Sequence, residues 1–323
     1  MKCTNKFIIT IIISLCFGGT LCGCKVAELE SAPVTEYLLE NYNVPFKKEV
    51  LFSDNLCVSQ NDVSLAGYVE DTSVNAAALF DLSNKQVLYS YASHERVYPA
   101  SITKIMTALL ALENGDLSSE VVVSERAAAS SFNMYAQVCG LKEGDVWSLN
   151  DLINALLLHS GNDAAVAIAE HIAGSEEAFV QMMNERAESL MAYNTHFSNS
   201  HGLHEDDHYT TAYDVYLMFQ ECVKNEAFVN IINQNECQVT FRRDNITQNE
   251  TFKATNWYAK GIVTTPENAE ILGGKTGTTE EGGHSLVLLE KDTNENYYIS
   301  IVMGAPEKSV LYTDMSGLIQ AIP

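Results

Sequence analysis

The chain has 323 residues, of which 46% are hydrophobic and 19% charged, a composition typical of a folded globular protein with a sizeable core. Acidic residues outnumber basic residues by 42 to 19, which gives a formal net charge of −23. Because no basic run interrupts this acidic balance, the composition argues against nucleic-acid binding and against electrostatic docking on anionic lipid.

The first 23 residues predict a signal peptide. Lys2 and Lys6 give a positively charged start, and residues 7–17 are almost wholly apolar, which is too short for a membrane span but usual for a signal peptide. The segment ends in Leu-Cys-Gly-Cys, closing at Cys24, which resembles a bacterial lipobox. We therefore expect a lipoprotein signal peptide over 1–23 and a lipid on Cys24 that anchors the protein outside the cell membrane. A plain signal peptide of a secreted protein is the alternative.

Residues 24–70 are interpreted as a tether and approach segment, because they contain two prolines, several acidic residues and no sustained hydrophobic period. The cysteines beyond Cys24 show no Cys-x-x-Cys spacing, so a structural zinc site is not expected. The sequence leaves open whether two of them form a disulfide. The four are Cys57, Cys139, Cys222 and Cys237, and the pair in question is Cys222 and Cys237.

The folded region begins near residue 71, and its first elements are two strands, 76–80 and 86–91, joined by a polar turn. A run of apolar, helix-periodic segments follows, and late strands and a short helix close the chain. The predicted helices are 102–112, 149–158, 163–172, 176–190, 211–223 and 314–319, and the late strands are 274–279 and 284–289, with 297–304 as a further edge. Strands at both ends of the chain predict an α/β (α+β) domain in which one antiparallel sheet encloses an inserted helical cluster.

Ser101 and Lys104 form the only Ser-x-x-Lys sequence in the chain, at the start of the predicted helix 102–112. Residues three apart share a helix face, so the Lys104 amine can reach the Ser101 hydroxyl. A serine becomes a nucleophile when a base takes its proton, and a lysine becomes that base when burial lowers its pKa. The pair therefore predicts a nucleophile and its base. A helix-capping serine beside a lysine that extends to solvent is the structural alternative.

Two further motifs accompany this pair. Ser160-Gly161-Asn162 lies at the break between two apolar helices, where a loop can present side chains to a cleft. Lys275-Thr276-Gly277 follows two glycines on the predicted strand 274–279, and a glycine-flanked strand admits close approach of a ligand. Each motif is weak evidence alone, since Ser-x-Asn also begins at positions 53, 59, 73, 131 and 148.

Taken in order, the three motifs match the set shared by class A β-lactamases and penicillin-binding proteins. Over roughly residues 70–320 the chain resembles the serine-type D-alanyl-D-alanine carboxypeptidases, the DacA-like low-molecular-mass penicillin-binding proteins of peptidase family S11. The segments that carry the resemblance are 99–108, 160–174, 194–197, 201–203, 208–214 and 274–283. The resemblance implies a β-lactamase/transpeptidase-like fold and a serine D,D-carboxypeptidase. Its expected partners are peptidoglycan stem peptides ending in D-Ala-D-Ala and β-lactam antibiotics, and no cofactor or metal is expected.

The resemblance also implies roles for individual residues. Ser101 would attack the penultimate D-Ala carbonyl while Lys104 takes the proton, and the backbone N–H groups of Ser101 and Thr278 would hold the oxyanion. Ser160 and Asn162 would relay a proton and hold the substrate amide. The expected catalytic residues are thus Ser101, Lys104, Ser160 and Asn162, and the expected substrate-binding residues are Lys275, Thr276, Gly277 and Thr278, with Lys275 and Thr276 receiving the terminal carboxylate.

Two departures from the family pattern accompany the resemblance. Relatives often carry a further all-β domain after the catalytic one, and we expect it to be absent here, with the catalytic domain occupying 71–323. Relatives also often carry an arginine shortly before the terminal helix, whereas Leu311 lies near that place in this chain. The departure leaves substrate affinity and terminus specificity open.

Three other readings compete with the carboxypeptidase. A β-lactamase needs a glutamate that activates the deacylating water, and a metal peptidase needs a zinc site. A catalytically weak cell-wall-binding lipoprotein would keep the fold without the activity. The residues considered for these are Glu177 and Glu185 for the β-lactamase, and His201, His204 and His208 with Asp206 and Asp207 for zinc.

Overall fold

Strands from both ends of the chain meet in one antiparallel sheet in the computed structural model, which describes residues 52–66, 68 and 72–323. The predicted signal peptide and Cys24 lie outside these residues. The strands are β1 (Ala76–Asp81), β2 (Gln86–Tyr91), β3 (Glu120–Val122), β4 (Val146–Ser148), β5 (Glu236–Arg243), β6 (Ile246–Lys253), β7 (Ala269–Thr279), β8 (Gly283–Asp292) and β9 (Tyr297–Ala305). The predicted mixed fold with a sheet from both chain ends is confirmed.

The main sheet has the strand order β2-β1-β9-β8-β7. The prediction that 297–304 forms an edge is wrong, because β9 pairs with β1 on one side, for example Ala78 with Ile301, and with β8 on the other. Seven of its nine residues are buried, the pattern of a strand covered on both faces. The strand that carries the Lys-Thr-Gly motif, β7, forms an edge of the sheet instead.

A second antiparallel sheet, in the order β3-β4-β5-β6, was not predicted. Two of its strands have only three residues, too few to produce a hydrophobic period. In β6 nearly every residue is at least partly exposed. The strand β5, however, alternates exposed and buried residues along most of its length, so its sequence did carry a usable signal.

Helices pack against both faces of the main sheet. They are α1 (Lys104–Asn114), α2 (Leu149–Asn154), α3 (Asn162–Ala173), α4 (Glu176–Ser189), α5 (Ala212–Cys222), α6 (Glu226–Ile232) and α7 (Lys308–Gln320). Four begin at a polar residue whose side chain accepts a backbone N–H, namely Ser148, Ser175, Thr211 and Asn225. The sequence missed α6, and it placed the start of α7 at 314 rather than at Lys308.

Two apolar clusters hold these layers together. The larger lies between the main sheet and α1 to α6, and the smaller lies between the opposite sheet face and α7. Part of the predicted approach segment joins the larger cluster, since Cys57 is 1% exposed and its backbone N–H donates to the Tyr216 hydroxyl at 2.8 Å. The predicted boundary at residue 70 stays a prediction.

The four cysteines within the described residues are free thiols, so Cys222 and Cys237 are not bridged. In the same part of the chain, no helix combines the length and apolar character that crossing a membrane requires.

Candidate active site

Ser101 lies in a 3-10 turn, Ala100–Thr103, that leads into α1. The turn is tight because Ala100 has a φ of +49°, a left-handed conformation that is uncommon for a side-chain-bearing residue. Two glycines close around it. A Cβ on Gly202 would lie 1.9 Å from the Ala100 carbonyl oxygen, and one on Gly277 would lie 3.0 Å from the Pro99 oxygen. Both positions therefore favour glycine, and β7 can lie directly against the serine.

Lys104 is fully buried behind Ser101. Its Nζ lies 2.9 Å from Ser101 Oγ, 2.7 Å from Asn162 Oδ1 and 2.5 Å from the His201 carbonyl oxygen. Burial, followed by the positive charge of Lys275, lowers the pKa of Lys104 well below its ordinary value of 10.5. An amine that is neutral at this place can accept the proton of the Ser101 hydroxyl.

Ser160 and Asn162 reach the same site through a break between α2 and α3. The helix α2 continues into one turn of π-helix, Ala155–His159, a local irregularity often found at functional sites. Ser160 follows with a φ of +68°, and this left-handed residue turns the chain into α3. The break therefore places two polar side chains, both less than 6% exposed, beside Lys104.

Lys275 lies beneath the cleft floor rather than in it. Its side chain is 1% exposed, and its Nζ donates to Ser160 Oγ and to the Thr276 carbonyl oxygen, each at 2.8 Å. Burial lowers the pKa of Lys275 to about 7. Lys104 thus contacts Ser101 and Asn162, while Lys275 contacts Ser160.

A buried carboxylate that the sequence did not single out supports this arrangement. Asp163, fully buried at the start of α3, accepts backbone N–H groups from Cys139, Gly140 and Leu141 at 2.8–3.0 Å. The neighbouring Asn162 N–H donates to the Gln137 carbonyl oxygen at 2.8 Å. These bonds clamp the segment 137–141 onto the Ser-x-Asn turn. An aspartate directly after that motif was the available signal.

A cleft of about 320 Å³ opens in front of Ser101. Six of the predicted site residues line it, while Lys104 and Lys275 lie behind its wall. No Asp or Glu is among the described residues that line this cleft. The lining consists of Ser101, Tyr135, Ala136, Gln137, Ser160, Asn162, Gly202, Leu203, Thr255, Trp257, Thr276, Gly277, Thr278, Thr279, His284, Ser285, Lys308, Leu311 and Tyr312.

Two of the histidines considered for zinc, His201 and His208, are engaged within the protein. His208 uses both ring nitrogens, Nε2 with Thr103 Oγ1 at 2.8 Å and Nδ1 with the Ser198 N–H at 3.0 Å. Burial lowers the pKa of His201 and of His208 to about 3, so both rings are neutral near pH 7. Among residues 52–66, 68 and 72–323, no group of three or more His, Cys, Asp or Glu side chains is arranged to hold a metal ion.

The glutamates considered for a β-lactamase point away from the cleft. Glu177 is exposed on α4 and pairs with Arg126 at 2.6 Å, and Glu185 accepts from Gln181 on the same exposed helix face. Their neighbour Glu176 is buried, but it binds the Ser200 hydroxyl and backbone rather than facing Ser101. A deacylating carboxylate of the β-lactamase kind is therefore not supplied by α4.

Comparison with known proteins adds to this geometry. A family model described as D-alanyl-D-alanine carboxypeptidase, peptidase S11, matches residues 62–307. D-alanyl-D-alanine carboxypeptidase DacF of Bacillus subtilis is 36% identical over 71% of this chain, which spans only 57% of that relative's length. D-alanyl-D-alanine carboxypeptidase DacB2 of Mycobacterium tuberculosis is 31% identical over 70% of this chain and 74% of its own length.

Solved structures are similar as well. A D-alanyl-D-alanine carboxypeptidase from Mycobacterium tuberculosis aligns with a TM-score of 0.68 and 28% identity, over 80% of this chain and 94% of the other. Penicillin-binding protein 5 from Haemophilus influenzae aligns with a TM-score of 0.68 and 27% identity, over 78% of this chain and 71% of the other.

Proposed function

Because the chain belongs to the D-alanyl-D-alanine carboxypeptidase family, peptidase S11, we propose that it is a serine D,D-carboxypeptidase. Its substrate is a peptidoglycan stem peptide that ends in D-Ala-D-Ala, and the reaction removes the terminal D-Ala. The observation that carries the proposal is the contact of 2.9 Å between Lys104 Nζ and Ser101 Oγ, made by a lysine with no exposed surface. Burial of this kind turns an ordinary lysine into a base.

Acylation follows from these contacts. Neutral Lys104 takes the Ser101 proton as Oγ attacks the carbonyl carbon of the penultimate D-Ala, and the backbone N–H groups of Ser101 and Thr278 stabilise the oxyanion. The edge position of β7 supports this assignment of Thr278, because an edge strand can offer backbone groups to a bound peptide. Asn162, whose Oδ1 is 2.7 Å from Lys104 Nζ, orients the lysine and holds the substrate amide.

The proton then has to reach the leaving amine of the terminal D-Ala. Ser160 lines the cleft and accepts from Lys275 at 2.8 Å, so its own hydroxyl proton is free to be directed at that amine. As the C–N bond breaks, Ser160 gives this proton to the amine and regains one from the Lys104 ammonium, so that free D-Ala departs, an ester on Ser101 remains and Lys104 is neutral again. Water hydrolyses the ester with Lys104 again as base, and the catalyst returns to its starting state. A β-lactam carries a similar acyl group, so penicillin acylates the same serine.

A fluorescent penicillin tests this proposal. The parent domain should become covalently labelled, and Ser101→Ala should not, while its thermal unfolding stays close to that of the parent. Ser118→Ala, an exposed serine in a turn, is the matched control and should label normally. Labelling that persists in Ser101→Ala would refute the nucleophile assignment.

The β-lactamase alternative is less well supported, because no carboxylate is among the described residues that line the cleft. Turnover of a chromogenic cephalosporin separates the two enzymes. A carboxypeptidase of this kind should be trapped slowly as an acyl-enzyme, whereas a β-lactamase would consume the compound rapidly.

The site of action follows from the substrate and from the amino-terminal sequence. Peptidoglycan lies outside the membrane, and the signal-like segment with its lipobox supports a lipid on Cys24 as the anchor. In a bacterial host, the parent should partition with membranes and Cys24→Ala should not carry lipid. Mass spectrometry that finds an unmodified amino terminus beyond residue 24 in the parent would contradict the anchor.

A further inference from the structure

The cleft in front of Ser101 contains one cation that the proposed mechanism does not use. Of the described residues that line it, Lys308 is the only lysine or arginine. Its side chain is exposed, whereas Lys104 and Lys275 are at most 1% exposed. The structure therefore divides the lysines of the site into two buried amines behind the wall and one ammonium at the mouth.

Three observations locate the Lys308 side chain. It begins α7, one turn before Leu311, and residues three apart share a helix face, so both side chains face the cleft. Its Nζ lies 5.9 Å from the ring centroid of Trp257, close enough for a cation–π contact. Trp257 in turn stacks on Tyr312 with 4.9 Å between ring centroids. This aromatic pair gives the lysine a rigid wall to lie against.

The third observation is electrostatic. His284 lines the same cleft as Lys308, and its pKa is lowered first by burial and then by the positive charge of Lys308. His284 Nδ1 is 3.0 Å from Thr278 Oγ1, a residue on the strand that faces Ser101. Lys308 thus lies against Trp257 and lines the same cleft as Thr276 and Thr278 of β7.

The substrate of the proposed reaction ends in a carboxylate, and the protein as a whole repels it, since the net charge is −23. A cation close to the bound carboxylate has to offset this repulsion. Lys275, the residue expected from sequence to do so, has donors directed at Ser160 and at the Thr276 carbonyl, and a pKa of about 7. Leu311 is apolar and only 2% exposed, so its position provides no charge.

We propose that Lys308 holds the terminal carboxylate of the substrate and so determines that the enzyme acts on a free peptide end. The inference rests on the proposed carboxypeptidase function. The Thr276 hydroxyl donates a hydrogen bond to the same carboxylate, and Lys308 supplies the charge. Because this ammonium is exposed, its attraction is screened by salt, unlike that of a buried cation.

The test compares a peptide that ends in D-Ala-D-Ala with the same peptide carrying a terminal amide. Lys308→Met removes the charge but keeps an apolar side chain against Trp257. In this variant, KM for the acid should rise about tenfold and kcat should change less than twofold. The KM for the amide should stay constant. Raising the ionic strength should raise KM for the acid in the parent but not in the variant. Lys308→Arg should restore the preference for the acid.

The control is Lys142→Met, which removes the same charge from an exposed residue outside the cleft and should leave both substrates unaffected. Equal KM increases on acid and amide in Lys308→Met would overturn the proposal, since the lysine would then only shape the cleft. An unchanged KM for the acid in Lys308→Met would overturn it too, because β7 alone would then bind the terminal carboxylate. Failure of the proposed function is a different result: the parent would show neither hydrolysis nor labelling of Ser101.

Discussion

Replacing Lys104 by arginine separates two properties that the proposed mechanism combines in one side chain. Arginine keeps the positive charge and the hydrogen-bond donors, but it does not lose its proton in a protein. Lys104 has no exposed surface and makes three contacts within 2.5–2.9 Å, so the structure defines the surroundings of the proposed base. If the lysine acts as a base, Lys104→Arg should therefore be nearly inactive.

The loss of acylation rate in Lys104→Arg should equal the contribution of a general base. A positioned general base contributes about 10²–10⁴ in rate, which corresponds to roughly 3–5 kcal/mol of activation free energy. Burial, followed by the charge of Lys275, lowers the pKa of Lys104 and so favours the neutral amine that this role needs. We expect the acylation rate constant of Lys104→Arg to fall by about that factor.

The assay is stopped-flow acylation by a fluorescent penicillin, with intact-protein mass spectrometry to count acyl groups. Arginine is bulkier than lysine and the site is fully buried, so thermal unfolding should be measured on each variant. Lys104→Met has a similar volume, removes the base without overpacking, and should be equally inactive, whereas Lys142→Arg should behave as the parent. Acylation of a folded Lys104→Arg within a few-fold of the parent would refute the reasoning, because another group would then take the proton.

Three further outcomes are expected. Thr276→Val should lower kcat/KM on the free-acid peptide by roughly ten- to a hundredfold and less on the amide, since it removes a hydrogen bond to a charged group. Thr255→Val removes the 2.6 Å contact to the Thr276 hydroxyl but keeps that hydroxyl in the cleft, so it serves as the comparison. Equal losses on acid and amide in Thr276→Val would show that Thr276 only shapes the strand. The folded pKa of Lys275, about 7, lies below its unfolded value of 10.5. The unfolded chain therefore binds more protons between these values, and raising the pH from 7 to 9 favours the fold. Lys275→Met lacks this gain, so its unfolding free energy relative to the parent should fall over that range in urea titrations, and a constant difference would contradict the low pKa. Asp163→Asn should destabilise the fold by about 1–3 kcal/mol, because an amide cannot accept all the N–H groups that the carboxylate accepts. A urea midpoint equal to that of the parent would show that this clamp is dispensable.

Much of the helical framework was predictable from local pattern. The predicted helix 163–172 appears as α3, ending at a left-handed Gly174, and the predicted strand 86–91 appears as β2 with the same bounds. The secondary structure of long apolar segments with a clear period and recognisable caps is determined by residues close together in the sequence. The short strands of the second sheet are not determined in this way, because a three-residue strand forms only when a partner strand is present.

The candidate site shows the same division. Motif order predicted which residues meet, and six of the eight predicted site residues line one cleft, with Lys104 and Lys275 directly behind it. What the sequence could not distinguish was the part that each lysine plays. Lys104, Lys275 and Lys308 have the same chemistry, and the first two differ from the third only because residues far along the chain exclude water from them.

Sequence by itself therefore determined the family, the three motifs of the candidate site and the presence of strands at both ends of the chain. Tertiary structure decided that β9 is central and β7 an edge, that Lys275 binds Ser160 rather than facing the cleft, and that Lys308 is the exposed cation. The physical reason is that the pKa and exposure of a lysine depend on the groups packed around it. The partners of Lys104 and Lys275 lie 58 and 115 residues away along the chain, so no local pattern contains them.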